Sequence, residues 1–136
     1  MSNPFNLRVI EEFRANGGRV GGPFEGVPLL LLTTIGARTG KERTTPLVAL
    51  PDGDRLVVFA SNGGAPTAPA WFHNLMKNPK ATVEFGAERH RAKATLVDES
   101  EHDALWERQI AQDPNFARFR SRTDRTIPVV ALTEIG

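Results

Sequence analysis

The chain contains neither cysteine nor tyrosine. Without cysteine there are no disulfides, no thiolate nucleophile and no thiolate-bound zinc, a composition compatible with a reducing compartment. Without tyrosine, no phenolic hydroxyl can hydrogen-bond a substrate. His73, His90 and His102 are the only imidazoles and show none of the close spacings of zinc ligands, so no metal is expected. Neither charge dominates: 17 Lys and Arg against 16 Asp and Glu leave a formal net charge of +1. Such a chain exerts little pull on polyanions, so no nucleic-acid partner is expected and any anion site must come from local clustering.

Long apolar runs are missing as well. The longest, VPLLLL, falls far short of the roughly 20 residues that cross a bilayer as a helix, and MSNPFNLRVIEEF has no continuous signal core. The expectation is a soluble, cytoplasmic protein. Peripheral membrane contact through the N-terminal helix stays open, although Glu11 and Glu12 would oppose an anionic surface. There is also no GxSxG nucleophile elbow, no conspicuous carboxylate pair, no Walker loop and no dinucleotide fingerprint.

A chain of 136 residues makes one domain with a buried core. Residues 4 to 16 read as a helix, with Phe5, Val9 and Phe13 on one face and Gly17-Gly18 ending it. GGRVGGPFEG, without periodicity, reads as a flexible connection, so that 1–27 precede a strand-rich region over 28–136. Six runs read as strands: PLLLLTTI, TTPLVAL, RLVVFAS, ATVEFG, HRAKATLV and IPVVAL. PDGD at 51–54 and GAE at 86–88 are short enough for hairpins, which makes those pairs antiparallel. Helical patterns cover Pro69 to Asn78, Glu99 to Gln112 and DPNFARFRSR, the last with Asp113 as N-cap and Pro114 at its first position. A small antiparallel barrel with helices packed around it is expected.

Three places offer chemistry. TTIGARTGKERTTPL sets Arg38, Lys41 and Arg43 at a chain reversal where Gly36 and Gly40 permit positive φ and a nest of backbone N–H groups for an anion. The plain alternative is a solvated hairpin tip. In ASNGGAPTAPAWFHNL a strand ends at Ser61 and a helix starts near Pro69, so the N–H groups of Trp71 and Phe72 are orphan donors that suit phosphate or carboxylate. The alternative is an ordinary loop with Trp71 and Phe72 as core anchors. Phe116 and Phe119, three apart on a helix otherwise charged, are core residues or a lid over something apolar.

The blocks EEFRANGGRVGG, PLLLLTTIGARTGKERTTPL, ASNGGAPTAPAWFHNLMKNPKATVE and RTDRTIPVVAL resemble, in this order and over nearly the whole chain, the deazaflavin (F420)-dependent nitroreductase and quinone reductase family. The resemblance implies a mainly β (α+β) fold: a split antiparallel β-barrel of about six strands with flanking helices, like the FMN-binding split barrels. It implies one reductase domain over 1–136 that binds coenzyme F420. Its activity would be hydride transfer from the reduced cofactor to quinones or other electron-poor conjugated acceptors, nitro compounds among them. Related barrels often dimerise, which leaves a homodimer open.

That cofactor carries a phosphodiester, an oligoglutamate tail and an apolar ring, and so needs cations at one end and a slot at the other. By resemblance, Arg38, Thr39 and Arg43 would hold phosphate and tail, with Thr45 and Pro46 beside the ring. Ala60, Ser61 and Asn62 would lie near the ring, Ser61 as a stabiliser of developing charge. Ala70, Trp71 and Phe72 would present N–H groups to the phosphate, with His73 and Asn74 in the same turn. Phe116 and Phe119 would contact substrate. The chain departs from the family at Ala37, where members often carry a second basic residue, at Asn62, where they carry lysine, and on the late helix, where nitroimidazole-activating members carry tyrosines. Two rivals are an oxidoreductase barrel using FMN and a non-catalytic deazaflavin-binding module.

Overall fold

A single residue, Ala49, decides how the apolar runs close on themselves. The computed structural model describes residues 4–135. The N-terminal half contains α1 (Pro4–Ala15), β1 (Leu29–Ile35), β2 (Glu42–Val48), β3 (Leu50–Asp52), β4 (Arg55–Phe59) and α2 (Ala70–Lys77). There follow β5 (Lys80–Phe85), β6 (Glu88–Leu96), α3 (Glu99–Gln112), α4 (Asn115–Ser121) and β7 (Val129–Glu134). All strand pairings are antiparallel, in the order β2-β1-β5-β6-β7-β4-β3.

Seven strands form where the sequence suggested six. The run TTPLVAL breaks at Ala49, because Val48 pairs with Leu29 of β1 while Leu50 pairs with Val57 of β4, at the far end of the sheet. The first and last strands of the sheet are therefore one residue apart along the chain, and two Cα steps of about 3.8 Å hold both edges together. Ala49 is fully buried at this seam and donates its N–H to the Pro28 carbonyl at 3.0 Å.

Strand alternation then sorts the side chains into three cores. Leu30, Leu32, Val58, Val83, Val130 and Leu132 fill the barrel, and α2 adds Trp71 and Leu75 to that interior. On the outer face, α3 and α4 pack Leu105, Trp106 and Phe116 against Val57, Phe59 and Val129. On the other flank, α1 lays Val9, Ile10 and Phe13 over Leu29 and Leu31. The apolar stripe of α1 is thus used in the core, while Phe5 and Leu7 are exposed at its first turn. No helix among the described residues is long and apolar enough to cross a membrane. At α4 the helix begins at Asn115, one residue later than expected, so Pro114 rather than Asp113 is its N-cap, and Asp113 accepts the Asn115 N–H at 3.2 Å from the position before the cap.

The glycine-rich connection is tied down rather than free. It forms a 3-10 turn at Gly22–Phe24, and Gly21 donates its N–H to Glu12 Oε2 at 2.7 Å. Gly18, with φ +96°, meets the β5–β6 turn so closely that a Cβ there would lie 2.6 Å from Gly86 Cα. Beside it, Arg14 donates twice to the Glu84 carboxylate, at 3.0 and 2.8 Å.

Gly18→Ala should destabilise the protein by about 2–4 kcal/mol, from left-handed strain and overpacking together. Gly17→Ala, equally left-handed but facing open space, should cost only about 1–2 kcal/mol. Urea unfolding of both separates contact from strain. Chiefly through the Arg14 hydrogen bonds, the Glu84 carboxyl is held below its ordinary value. Its contribution is therefore complete above that value and is lost as pH falls through the depressed one. Arg14→Ala should accordingly lose less stability than wild type between about pH 5 and pH 3.

Candidate functional site

The basic hairpin between β1 and β2 is fixed from within and from below. Gly40, at φ +70°, turns the chain, and the Gly36 N–H donates to the Lys41 carbonyl at 2.8 Å. Gly36 does not adopt the positive φ expected of it. It is required for space, since a Cβ would come within 2.7 Å of Thr39 Oγ1, which itself accepts the Lys41 N–H at 3.2 Å. From below, α2 holds Ala37 by both of its polar groups: Asn74 Oδ1 accepts its N–H at 2.9 Å and Lys77 Nζ donates to its carbonyl at 2.7 Å. Asn74 is 7% exposed, and its Nδ2 donates to Thr34 Oγ1 at 3.0 Å.

This anchoring changes the expected role of Asn74. It lines the site, but its amide is engaged in holding the hairpin, and it takes an N–H that a bound anion would otherwise have used. Nothing in the sequence marks the contact, because Asn74 and Ala37 are far apart along the chain.

Between hairpin and helix lies a cleft of about 550 Å³, with Arg38, Thr39 and Arg43 on one side and Ala70, His73 and Asn74 on the other. Arg38, Lys41 and Arg43 are exposed, and among the described residues none of them forms an ion pair. Arg14, Arg55, Arg108 and Arg120, by contrast, are all paired with carboxylates. The start of α2 is less open than expected, since the Phe72 N–H already donates to the Pro69 carbonyl at 3.1 Å. Trp71 is buried in the barrel, with the half-buried Phe72 packed against the same cluster, so both side chains act as core anchors.

Strand alternation separates Thr45 from Pro46. Thr45 pairs with Leu32 and shares the barrel-facing side with Arg43 and Leu47, whereas Pro46 pairs with Leu31 on the side covered by α1. The strand end after β4 places Ala60 and Ser61 in buried positions and Asn62 in an exposed one at φ +49°. α4 backs this loop closely: a Cβ on Gly64 would lie 2.7 Å from the Phe119 carbonyl oxygen and 2.8 Å from Arg122 Cβ.

The structure parts the two late phenylalanines. Phe116 is core, 6% exposed, with its ring 6.0 Å from Phe59. Phe119 is half-buried, 5.1 Å from Phe116, packs against the same outer cluster and does not line the cleft. The sequence reading also missed Arg125, whose guanidinium lies behind the 60–67 loop.

Unpaired cations on a cleft of this size, with threonine donors between them, suit phosphate and carboxylate groups. The barrel face leading inward from Arg43 through Thr45 to Leu47 becomes steadily less polar, as a ring-bearing cofactor requires. Fold and site together are those of a split barrel with a cationic cleft suited to an anionic ligand. The family model for F420H(2)-dependent quinone reductase matches residues 7–134. An F420H(2)-dependent quinone reductase of Mycobacterium tuberculosis is 41% identical over 127 residues, spanning 89% of this chain and 84% of that protein. A solved F420-H2 dependent reductase is 32% identical with a TM-score of 0.71, over 77% of this chain and 93% of that one. A further solved structure, described as a domain-swapped dimer, is 30% identical with a TM-score of 0.72, over 93% and 92% of the two chains. The chain belongs to the F420H(2)-dependent quinone reductase family, whose cofactor is coenzyme F420.

Each charge-assisted contact to phosphate or carboxylate contributes roughly 1.5–3 kcal/mol. Arg43→Ala and Arg38→Ala should therefore each weaken F420 binding by at least about tenfold and flatten its salt dependence, as read by fluorescence titration. Unchanged affinity in both would reduce the hairpin to a solvated turn. Asn74→Ala, which strips two buried partners, should destabilise the fold by about 1–3 kcal/mol as well as weaken binding.

Proposed function

We propose that this protein transfers a hydride from reduced F420 to flat, electron-poor acceptors of the quinone class, with the anionic part of the cofactor held over the basic hairpin. The observation that carries the placement is that Arg38 and Arg43, which have no ion-pair partner among the described residues, line a cleft whose floor is anchored to α2. When bound, the reduced deazaflavin supplies the hydride, and solvent can supply the proton.

The chain's own contribution is positioning, exclusion of water and stabilisation of charge. Arg38 and Arg43, with Thr39 between them, hold phosphate and tail by charge-assisted hydrogen bonds. Thr45 faces the same volume as Arg43 and borders the ring. Ser61 and Asn62, at the end of β4, offer a hydroxyl and a backbone N–H to an acceptor that gains negative charge. With Ala37 neutral, the oligoglutamate tail meets fewer cations than in relatives with a basic residue there, so shortening the tail should matter less.

Phe119 provides an apolar edge without a hydroxyl for the acceptor, and Arg118, 5.9 Å from its ring centroid, donates to Asn115 Oδ1 at 3.0 Å. Because nothing on α4 replaces the tyrosines of nitroimidazole-activating relatives, an acceptor whose buried polar atoms require fixed donors is disfavoured by roughly 1–3 kcal/mol. The solved domain-swapped dimer among similar structures supports a homodimer as the working assembly, which light scattering on a sizing column would check.

Steady-state kinetics with a menadione-type quinone and a bicyclic nitroimidazole test this reading. The quinone should be reduced well ahead of the nitroimidazole. Phe119→Ala should raise the quinone KM more than it lowers kcat, and Phe119→Tyr should narrow the gap between the two acceptors. Tight F420 binding without oxidation of the reduced cofactor by any quinone would make the protein a carrier instead.

A further inference from the structure

We propose that Arg125 is a positioning residue for this reaction: its guanidinium sets the course of the loop after β4 and turns the Ser61–Asn62 peptide so that the Asn62 N–H faces away from it, as a donor for negative charge in the site. The proposal rests on the functional reading above for the nature of that charge. The geometry is independent of it.

Four backbone carbonyls of one loop converge on Arg125. Its Nε donates to the Ala65 carbonyl at 3.1 Å, while Nη2 reaches those of Ala60 at 3.0 Å, Ser61 at 3.1 Å and Thr67 at 3.2 Å. No carboxylate pairs with Arg125 among the described residues. The carbonyls themselves are its counter-charge. They converge because the loop passes through consecutive left-handed residues, Asn62 at φ +49°, Gly63 at +65° and Gly64 at +85°. In this bend the Ser61 carbonyl also accepts the Gly64 N–H and the Thr67 carbonyl the Asn62 Nδ2, whereas among the described residues those of Ala60 and Ala65 have Arg125 alone, and half-buried carbonyls without donors are costly.

The consequence for the site follows from peptide geometry. All peptide bonds among the described residues are trans, and in a trans peptide the carbonyl of one residue and the N–H of the next point in opposite directions. The Ser61 carbonyl is held by two donors, the Gly64 N–H at 2.9 Å and Arg125 at 3.1 Å, so the Asn62 N–H is turned to the opposite side, where no acceptor among the described residues takes it. A positive charge bonded to the carbonyl also polarises that peptide and strengthens its N–H as a donor. Lysine cannot substitute fully, because an ammonium is a point donor and the four carbonyls surround a planar fork.

The test compares wild type with Arg125→Ala and Arg125→Lys in two readouts, amide hydrogen exchange of the cofactor-free protein and steady-state kinetics with a quinone. In Arg125→Ala, exchange over residues 60–68 should accelerate by at least about tenfold while β1 and β5 keep their protection. In the same variant kcat should fall at least about tenfold with little change in KM. Millimolar guanidinium should restore both, methylammonium neither, and Arg125→Lys should fold normally with intermediate values. Unchanged exchange in Arg125→Ala, or a loss of activity that guanidinium does not rescue in the folded Arg125→Ala variant, would overturn the proposal. A wild type inactive toward quinones overturns the functional reading instead, and hydrogen exchange still decides whether Arg125 sets the loop.

Discussion

The protein depends on a seam one residue wide. Ala49 joins the two outermost strands of a seven-stranded sheet, so β2 and β3 cannot separate and the sheet must curl until its edges meet. Curling creates an interior, and the interior needs an apolar filling. Leucine and valine from β1, β4, β5 and β7 supply most of it, and α2 supplies the rest through Trp71 and Leu75. Had the chain continued β2 through Ala49 as one straight strand, there would be no barrel for α2 to fill.

From that seam the binding site follows by steps. Large apolar side chains buried at roughly 1.5–3 kcal/mol each hold α2 in the barrel. Once α2 is fixed, the buried Asn74 and the exposed Lys77 stand in register with Ala37, and the hairpin is tied at both polar groups of one residue. Its cations are then presented on a rigid support rather than on a waving tip, which reduces the entropy lost on binding an anion. The stiffness of the anion site is borrowed from the hydrophobic core.

The basic residues divide into groups that sequence cannot separate. Arg14 staples α1 to β5, Arg55 and Arg108 converge on Asp52 to hold α3 against the β3–β4 turn, and Arg120 pairs with Asp103 across α4 and α3. Those pairs are structural, and Asp52 is held below its ordinary carboxyl value chiefly by Arg108 and Arg55. Among the described residues Arg38, Lys41 and Arg43 find no such partners, and a cation without a carboxylate partner is the kind that suits an anionic ligand. Arg125 is a third case, a cation satisfied by carbonyls alone.

Local signals in the sequence were sufficient for the elements. Alternating or continuous apolar runs bounded by glycine and proline gave most of the strands, the two short turns gave hairpins, and 3.6-residue periodicity gave the helices, because these depend on residues within a few positions of one another. Motif order was likewise enough for the family, and with it the cofactor. What the sequence could not determine is every feature that joins distant residues: the break at Ala49, Asn74 beneath Ala37, Thr45 and Pro46 on opposite faces, Phe116 drawn into the core while Phe119 is left near the surface, and Arg125 behind Ser61. A side chain's role is set by what surrounds it in space. Phe116 and Phe119 are the same residue type on the same helix, and only the packing of Phe59 and Trp106 around one of them decides which is core and which stays half-buried.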